Sequence, residues 1–270
     1  YDEKTGKGLM RHVVVKAAKS TEQYMVILVI NANELPHAKE IARSLVGACH
    51  SIVSVVVNIN MKNTNVILGD KNITVYGRDY IIDRLGDYFF KISPLSFYQV
   101  NPIQAEALYN YAIEAAGITK NDIVFDLYCG IGTISIFVAN SAKEVYGVEI
   151  VQQAIEMAKE NAKENEINNT HFIAGDTEVV LTDLIEKQHI IPDVIIVDPP
   201  RKGLDKTSIN NILKVRPRKV VYISCNPASL VRDLKMLEEE YEIKVIQPFD
   251  LFCFTSHVEN CVVLTLKNNL

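Results

Sequence analysis

Residues 125–138 read "FDLYCGIGTISIFV", and this stretch sets the fold. Asp126 lies at the end of an apolar strand, Gly130 and Gly132 make a turn, and an apolar helical run follows at once. Glycines in such a turn let the backbone approach a ligand beside a helix N-terminus, as in nucleotide-binding α/β sheets. Working outward, helices and strands alternate from about residue 93. Helices are expected over 101–117, 133–142, 151–165, 177–187, near 208–215 and over 228–240. Strands are expected over 122–128, 144–150, 170–176, 193–200 and 219–227, and two more, 242–252 and 259–267, have no helix between them. This pattern implies a seven-stranded, mostly parallel sheet covered on both faces, with a final antiparallel strand.

Upstream the texture changes. Strand-like runs at 12–18, 24–33, 51–60, 64–69 ("TNVILG"), 72–77 and 87–93 surround one amphipathic stretch, "PHAKEIARSLVGAC" at 36–49. Residues 1–92 therefore read as a small α+β domain dominated by antiparallel hairpins, and 93–270 as the larger α/β domain.

Composition excludes several classes. With 48% apolar and 23% charged residues the 270-residue chain is an ordinary globular protein, and no apolar run reaches the roughly 18 residues of a membrane span. The start, "YDEKTGKGLMRH", has neither an initiator Met nor a signal-peptide core, so the chain reads as part of something longer. Cys49, Cys129, Cys225, Cys253 and Cys261 contain no CxxC pair, which fits neither a zinc site nor a disulfide framework and points to a reducing cytoplasm. The net charge of -5 argues against a nucleic-acid partner, yet between Arg201 and Lys235 nine Lys/Arg face two acids.

The third glycine of a dinucleotide fingerprint is absent: Ser135 stands in its place, and Thr133 follows the second glycine. Glu149, at the end of the next strand, is placed to accept both hydroxyls of a ribose. Together these favour an adenosine without a pyrophosphate, namely S-adenosylmethionine, over NAD. The fourth strand ends "IVDPPRKGL", so that Asp198 and two stiff prolines stand at the ligand-binding edge of the sheet. The fifth ends "YISCNP" with Cys225 at its exit.

"FYQVN", "DLYCGIG", "GVE", "DPPRKGL", "SCNP" and "HVEN", in this order, resemble the RNA uracil-5-methyltransferases of ribosomal and transfer RNA, over essentially the whole chain. The resemblance implies a Rossmann-like class I methyltransferase domain. It also implies that an OB-like RNA-binding domain, sometimes with an iron-sulfur cluster, precedes the part present here. Gln99, Tyr128, Gly130, Gly132, Glu149 and Asp198 are then the cofactor contacts, with Asp176 beside the adenine. Thr133 departs from relatives that carry Asn there.

Carbon 5 of uracil is too weak a nucleophile to accept a methyl group unaided, so a thiolate must first add at carbon 6, and a base must later remove the carbon-5 proton. Cys225 is the expected nucleophile and Glu259 the expected general base. If the last two strands form a hairpin, Glu259 opens an antiparallel strand at the edge where Cys225 closes a parallel one. His257 could assist. The target uridine must leave its stack, and Arg201, Lys202 and Arg232 are the expected phosphate contacts. No metal is expected. The expected enzyme is a cytoplasmic, monomeric S-adenosylmethionine-dependent RNA uridine C5-methyltransferase acting on 23S rRNA, with tRNA as the alternative substrate. Two other readings compete: an amino-group methyltransferase with a DPP loop, and an RNA-binding module that retains the fold without catalysis.

Overall fold

The computed structural model describes residues 1–268 and divides the chain into two compact units, Tyr1–Phe97 and Tyr98–Leu270. The expected division after residue 92 falls inside the first unit. Ser93 and Ser96 stay there because both their carbonyls accept from Lys16 Nζ, at 2.9 and 2.6 Å.

The first unit contains β1 (Met10–Ala18), β2 (Gln23–Ile30), α1 (Ala38–Ala48), β3 (Ile52–Ile59), β4 (Lys71–Gly77), β5 (Ile81–Leu85) and β6 (Tyr88–Ile92). Its four-stranded sheet has the order β1-β2-β3-β4, and β5-β6 form a separate hairpin. The expectation of antiparallel hairpins fails at the centre, where β2 and β3 pair in parallel. The amphipathic helix α1 makes the crossover, burying Ala42 against Val26, Leu28 and Val55, and a crossover is what parallel pairing requires. The expected strand over 64–69 is a loop. Asn60 Nδ2 donates to the carbonyls of Val66 and Ile67 and Asn58 Nδ2 to that of Gly69, so side chains occupy the groups a ladder would have used.

The second unit runs α2 (Pro102–Ala116), β7 (Ile123–Leu127), α3 (Thr133–Ala139), β8 (Glu144–Glu149), α4 (Gln152–Glu164), β9 (Thr170–Ala174) and α5 (Thr177–Thr182). It continues through β10 (Val194–Val197), α6 (Lys206–Val215), β11 (Lys219–Ser224), α7 (Pro227–Leu237), β12 (Tyr241–Phe249) and β13 (Glu259–Leu266). The seven strands take the order β12-β13-β11-β10-β7-β8-β9, with β13 antiparallel to both its neighbours and the other contacts parallel. This is the expected sheet.

Local chemistry fixes the helix ends. Asn101 and Asn226 each precede a proline and accept a backbone N–H with the side chain, opening α2 and α7. Gly117, at φ 59°, closes α2. The helix expected over 177–187 stops earlier: α5 passes at Asp183 into a single π-helical turn, Asp183–Lys187. The central strand β10 is completely buried, and Phe125, Leu127, Ile195, Val197, Val220 and Tyr222 share one core with α6 and α7. That core leaves the carboxyl ends of β7, β8, β10 and β11 together at one edge.

Candidate active site

At that edge the two glycines after β7 have different tasks. Both are left-handed, Gly130 at φ 54° and Gly132 at φ 83°. A Cβ on Gly132 would stand 2.9 Å from the Phe172 ring, so this glycine permits close packing of the turn. A Cβ on Gly130 would meet nothing within 4 Å, so its backbone borders open space. Glu149 is drawn over the turn, Oε2 accepting from Gly130 N at 3.3 Å and Oε1 from Val151 N at 3.0 Å. Ser135 donates its hydroxyl to Asp126 Oδ2 at 2.5 Å, which gives the residue in the third-glycine position a task of its own. Burial pushes the Asp126 carboxyl up to about 7 against that hydrogen bond, and the charges of Asp198 and Glu149 push the same way.

Tyr109, which sequence reasoning missed, stands at the centre of the next group. It sits on α2, is 2% exposed, and meets the Phe137 ring edge-on at 5.4 Å. Burial, and then the charge of Asp198, hold its phenol strongly neutral, with Thr133 and Gln99 acting the other way. Within the helical stretch no motif singles Tyr109 out; its place is set by the fold. Asp198 follows β10, and burial raises its carboxyl to about 7.

The third group is the one the chemistry needs. Ser224 of β11 pairs with Asn260 of β13 in antiparallel register as the last pair of the ladder, so that Cys225, just past the end of β11, and Glu259, at the start of β13, come to the same edge of the sheet. Glu259 is 2% exposed, and burial, with Asp198 adding, raises its carboxyl to about 8. The half-buried Cys225 thiol is lifted by desolvation, then by the charges of Glu259 and Asp198, while Arg201 pulls it down by charge and hydrogen bond. Three acceptor oxygens here are buried without a hydrogen-bond partner: Gln99 Oε1, Asp126 Oδ1 and Glu259 Oε1.

Other expected residues stand further from this centre. Tyr128 has left-handed backbone, φ 71°, and its hydroxyl bonds with Ser208 on α6 at 3.2 Å. Asp176 is exposed and caps α5, accepting from Glu178 N at 2.9 Å. His257 lies in the loop before β13, its ring edge-on to Phe252. Lys202 is exposed. The Arg232 side chain, 55% exposed, donates to the carbonyls of Lys202 and Leu204 and pairs with buried Asp233. Its task is to hold the DPPRKG loop. The basic stretch is likewise thinned. Lys214 pairs with Glu186, Arg216 with Glu240 and Arg218 with Asp122. Arg216, Arg218 and Lys219 moreover lie where β11 begins, at the opposite edge of the sheet from Cys225.

Fold and site together define a Rossmann-like methyltransferase domain of class I. The chain belongs to the tRNA (uracil-5-)-methyltransferase family, which matches residues 55–267. An uncharacterized RNA methyltransferase of Clostridium tetani is 49% identical over 266 residues, covering 98% of this chain and 58% of that protein. A second, from Halalkalibacterium halodurans, is 49% identical over 269 residues, with 99% and 58% covered. The chain thus spans less than two thirds of the curated relatives it matches. Among solved structures, Pyrococcus abyssi tRNA (uracil-54, C5)-methyltransferase in complex with S-adenosyl-L-homocysteine superposes with a TM-score of 0.77 at 29% identity, over 97% of this chain and 61% of that one. Trm5b of the same organism, at 18% identity and a TM-score of 0.60, covering 96% and 80%, shares the fold.

Proposed function

We propose that the protein of which this chain is a part transfers a methyl group from S-adenosylmethionine to carbon 5 of a uridine in RNA. The juxtaposition of Cys225 and Glu259 carries the reading, because a half-buried thiol beside a buried carboxylate supplies the nucleophile and the base that this carbon requires. The residues fit the cofactor. Its ribose hydroxyls and amino group are donors and its sulfonium is a cation, and the site offers orphaned acceptors at Gln99 and Asp126, the carboxylates of Glu149 and Asp198, and open space before Gly130. When bound, S-adenosylmethionine supplies the electrophilic methyl group. Gln99, Gly130, Glu149 and Asp198 would hold it, with Tyr128 and Asp176 further out along the same edge.

Cys225 adds as thiolate to carbon 6, which raises electron density at carbon 5. Glu259, ionised, later takes the carbon-5 proton, after which the carbon–sulfur bond breaks and the thiolate leaves. The uridine must be unstacked at a cost of a few kcal/mol, which favours a loop or bulge over a duplex. RNA that contains 5-fluorouridine tests the chemistry, since fluorine cannot be removed as a proton. The full-length protein is expected to form a covalent adduct with it that survives denaturing electrophoresis and disappears in Cys225→Ala. Cofactor binding with no adduct would favour the RNA-binding module, and methyltransferase activity retained in Cys225→Ala would favour the amino-group methyltransferase.

The RNA is proposed to be 23S rRNA, from the resemblance of the chain's motifs; the family description and the Pyrococcus structure speak of tRNA. Mapping 5-methyluridine in both RNAs from cells lacking the protein separates them, with loss from 23S rRNA expected. A cytoplasmic location fits the five free cysteines, the proposed state is a monomer, and among the described residues no helix is long and apolar enough to cross a membrane.

A further inference from the structure

Residues 250–258 join β12 to β13 at the edge of the sheet that carries the site. Phe249 and Glu259 form the last pair of that hairpin, so both ends of the loop leave from the level of the proposed base. At its centre stands Phe254, fully exposed and, among the described residues, the most exposed of the large apolar side chains. Its backbone is left-handed, φ 65°. That conformation strains a residue with a Cβ, and a ring left in water forgoes the gain of burial. Neither feature helps the chain to fold.

The loop around this ring is fixed. Leu251 anchors it, 1% exposed. Thr255 donates to the Phe252 carbonyl from its backbone N at 3.2 Å and from Oγ1 at 2.7 Å, and the same Oγ1 accepts from His257 N at 3.2 Å. Phe252 turns its ring edge-on to His257, 6.3 Å away. One aromatic residue of the loop is thus packed within it, and the other is held out in solvent by a tied backbone. A strained residue kept in place by an ordered frame points to binding.

The occupant follows from the reaction at this edge. A uridine drawn out of its stack leaves the bases beside it with bare faces, and unstacked bases are held on aromatic rings. Phe254 lies five residues before Glu259, so their Cα atoms are no more than about 18 Å apart. Residues 250–258 contain no Lys or Arg, which suits the loop to the face of a base and not to a phosphate.

We propose that Phe254 is a stacking platform for the substrate RNA: its ring takes the face of an unpaired base beside the extruded uridine. The assignment rests on the RNA uridine reading above.

The test uses the full-length protein with whichever of unmodified 23S rRNA and tRNA transcripts the wild type methylates. Phe254→Ala is expected to raise Kd and KM for that RNA about tenfold, the weight of one base–aromatic stack, with the effect in KM and not in kcat at saturating RNA. The dependence of affinity on salt should keep its slope, because no phosphate contact is lost. Phe254→Tyr and Phe254→Trp should restore binding, and Phe254→Leu should not. Phe254→Gly, which suits the left-handed backbone, should melt no lower than the wild type yet bind RNA as weakly as Phe254→Ala. Wild-type affinity in Phe254→Ala overturns the assignment, as does restoration by Leu equal to that by Tyr, which would make the contact merely apolar. If the wild type still forms its Cys225-dependent adduct with 5-fluorouridine RNA, only the role of Phe254 fails. Absence of that adduct in the wild type would remove the RNA uridine reading and the stacking role with it.

Discussion

Glu259 is the residue on which timing depends. Buried at the start of β13, it holds its proton up to about pH 8, yet it must be ionised to act as base. In the free enzyme kcat/KM is therefore expected to rise as pH passes through about 8. Glu259→Gln should lose that ascending limb and roughly 10²- to 10⁴-fold in turnover. Because the base acts after the thiolate adds, this variant should still bond covalently to substrate RNA. Single-turnover assays with gel detection of the adduct check both outcomes; normal turnover would assign the base elsewhere. Cys225 and the glycine turn were legible in the sequence because each is a rare residue type in a strongly constrained place. Tyr109 was not: an aromatic residue on an amphipathic helix looks the same whether its hydroxyl meets solvent, core or site.

At the scale of elements, the site depends on the junction between the loop after β10 and α7. Its hub is Asp233, completely buried, which accepts from Leu204 N, Tyr222 Oη and Arg232 Nε. Removing this carboxylate leaves two buried donors, Leu204 N and Tyr222 Oη, unpaired, so Asp233→Ala is expected to cost about 3 kcal/mol or more in urea denaturation. Asn226→Ala removes the α7 cap, worth about 1 kcal/mol, and also the hydrogen bond from Asn226 Nδ2 to the Arg201 carbonyl. A cost for Asp233→Ala near that of a surface substitution would show the hub to be dispensable. The strands and helices of the second unit were readable from apolar periodicity and from the Asn-Pro pairs that open α2 and α7. In the first unit the parallel β2–β3 pairing was not, because strand composition does not distinguish a crossover from a hairpin. The loop at 61–70 was missed because Asn58 and Asn60 bind its carbonyls from a neighbouring strand.

Over the whole molecule, Asp126, Asp198 and Glu259 all have folded-state values raised well above the ordinary carboxylate range, the first two to about 7 and the third to about 8. The sign follows from linkage. Between about pH 4 and these values the folded chain keeps protons that the unfolded chain has released, so these groups make stability fall as pH rises. Unfolding free energy measured at successive pH values should decline between about pH 5 and pH 8. The decline should be shallower by a few kcal/mol in the triple variant Asp126→Asn, Asp198→Asn, Glu259→Gln. Equal slopes would mean that the three carboxyls are not held up by the fold. The sequence by itself determined the seven-stranded sheet, the glycine turn and the candidate nucleophile, because periodicity and rare residues are local properties of a chain. Only the tertiary structure decided that Tyr109 is buried near the site and that Arg232 is tied to the loop after β10 and to Asp233. Those relations depend on which strand ends share an edge, and strand order and register are set by packing between segments far apart in the chain.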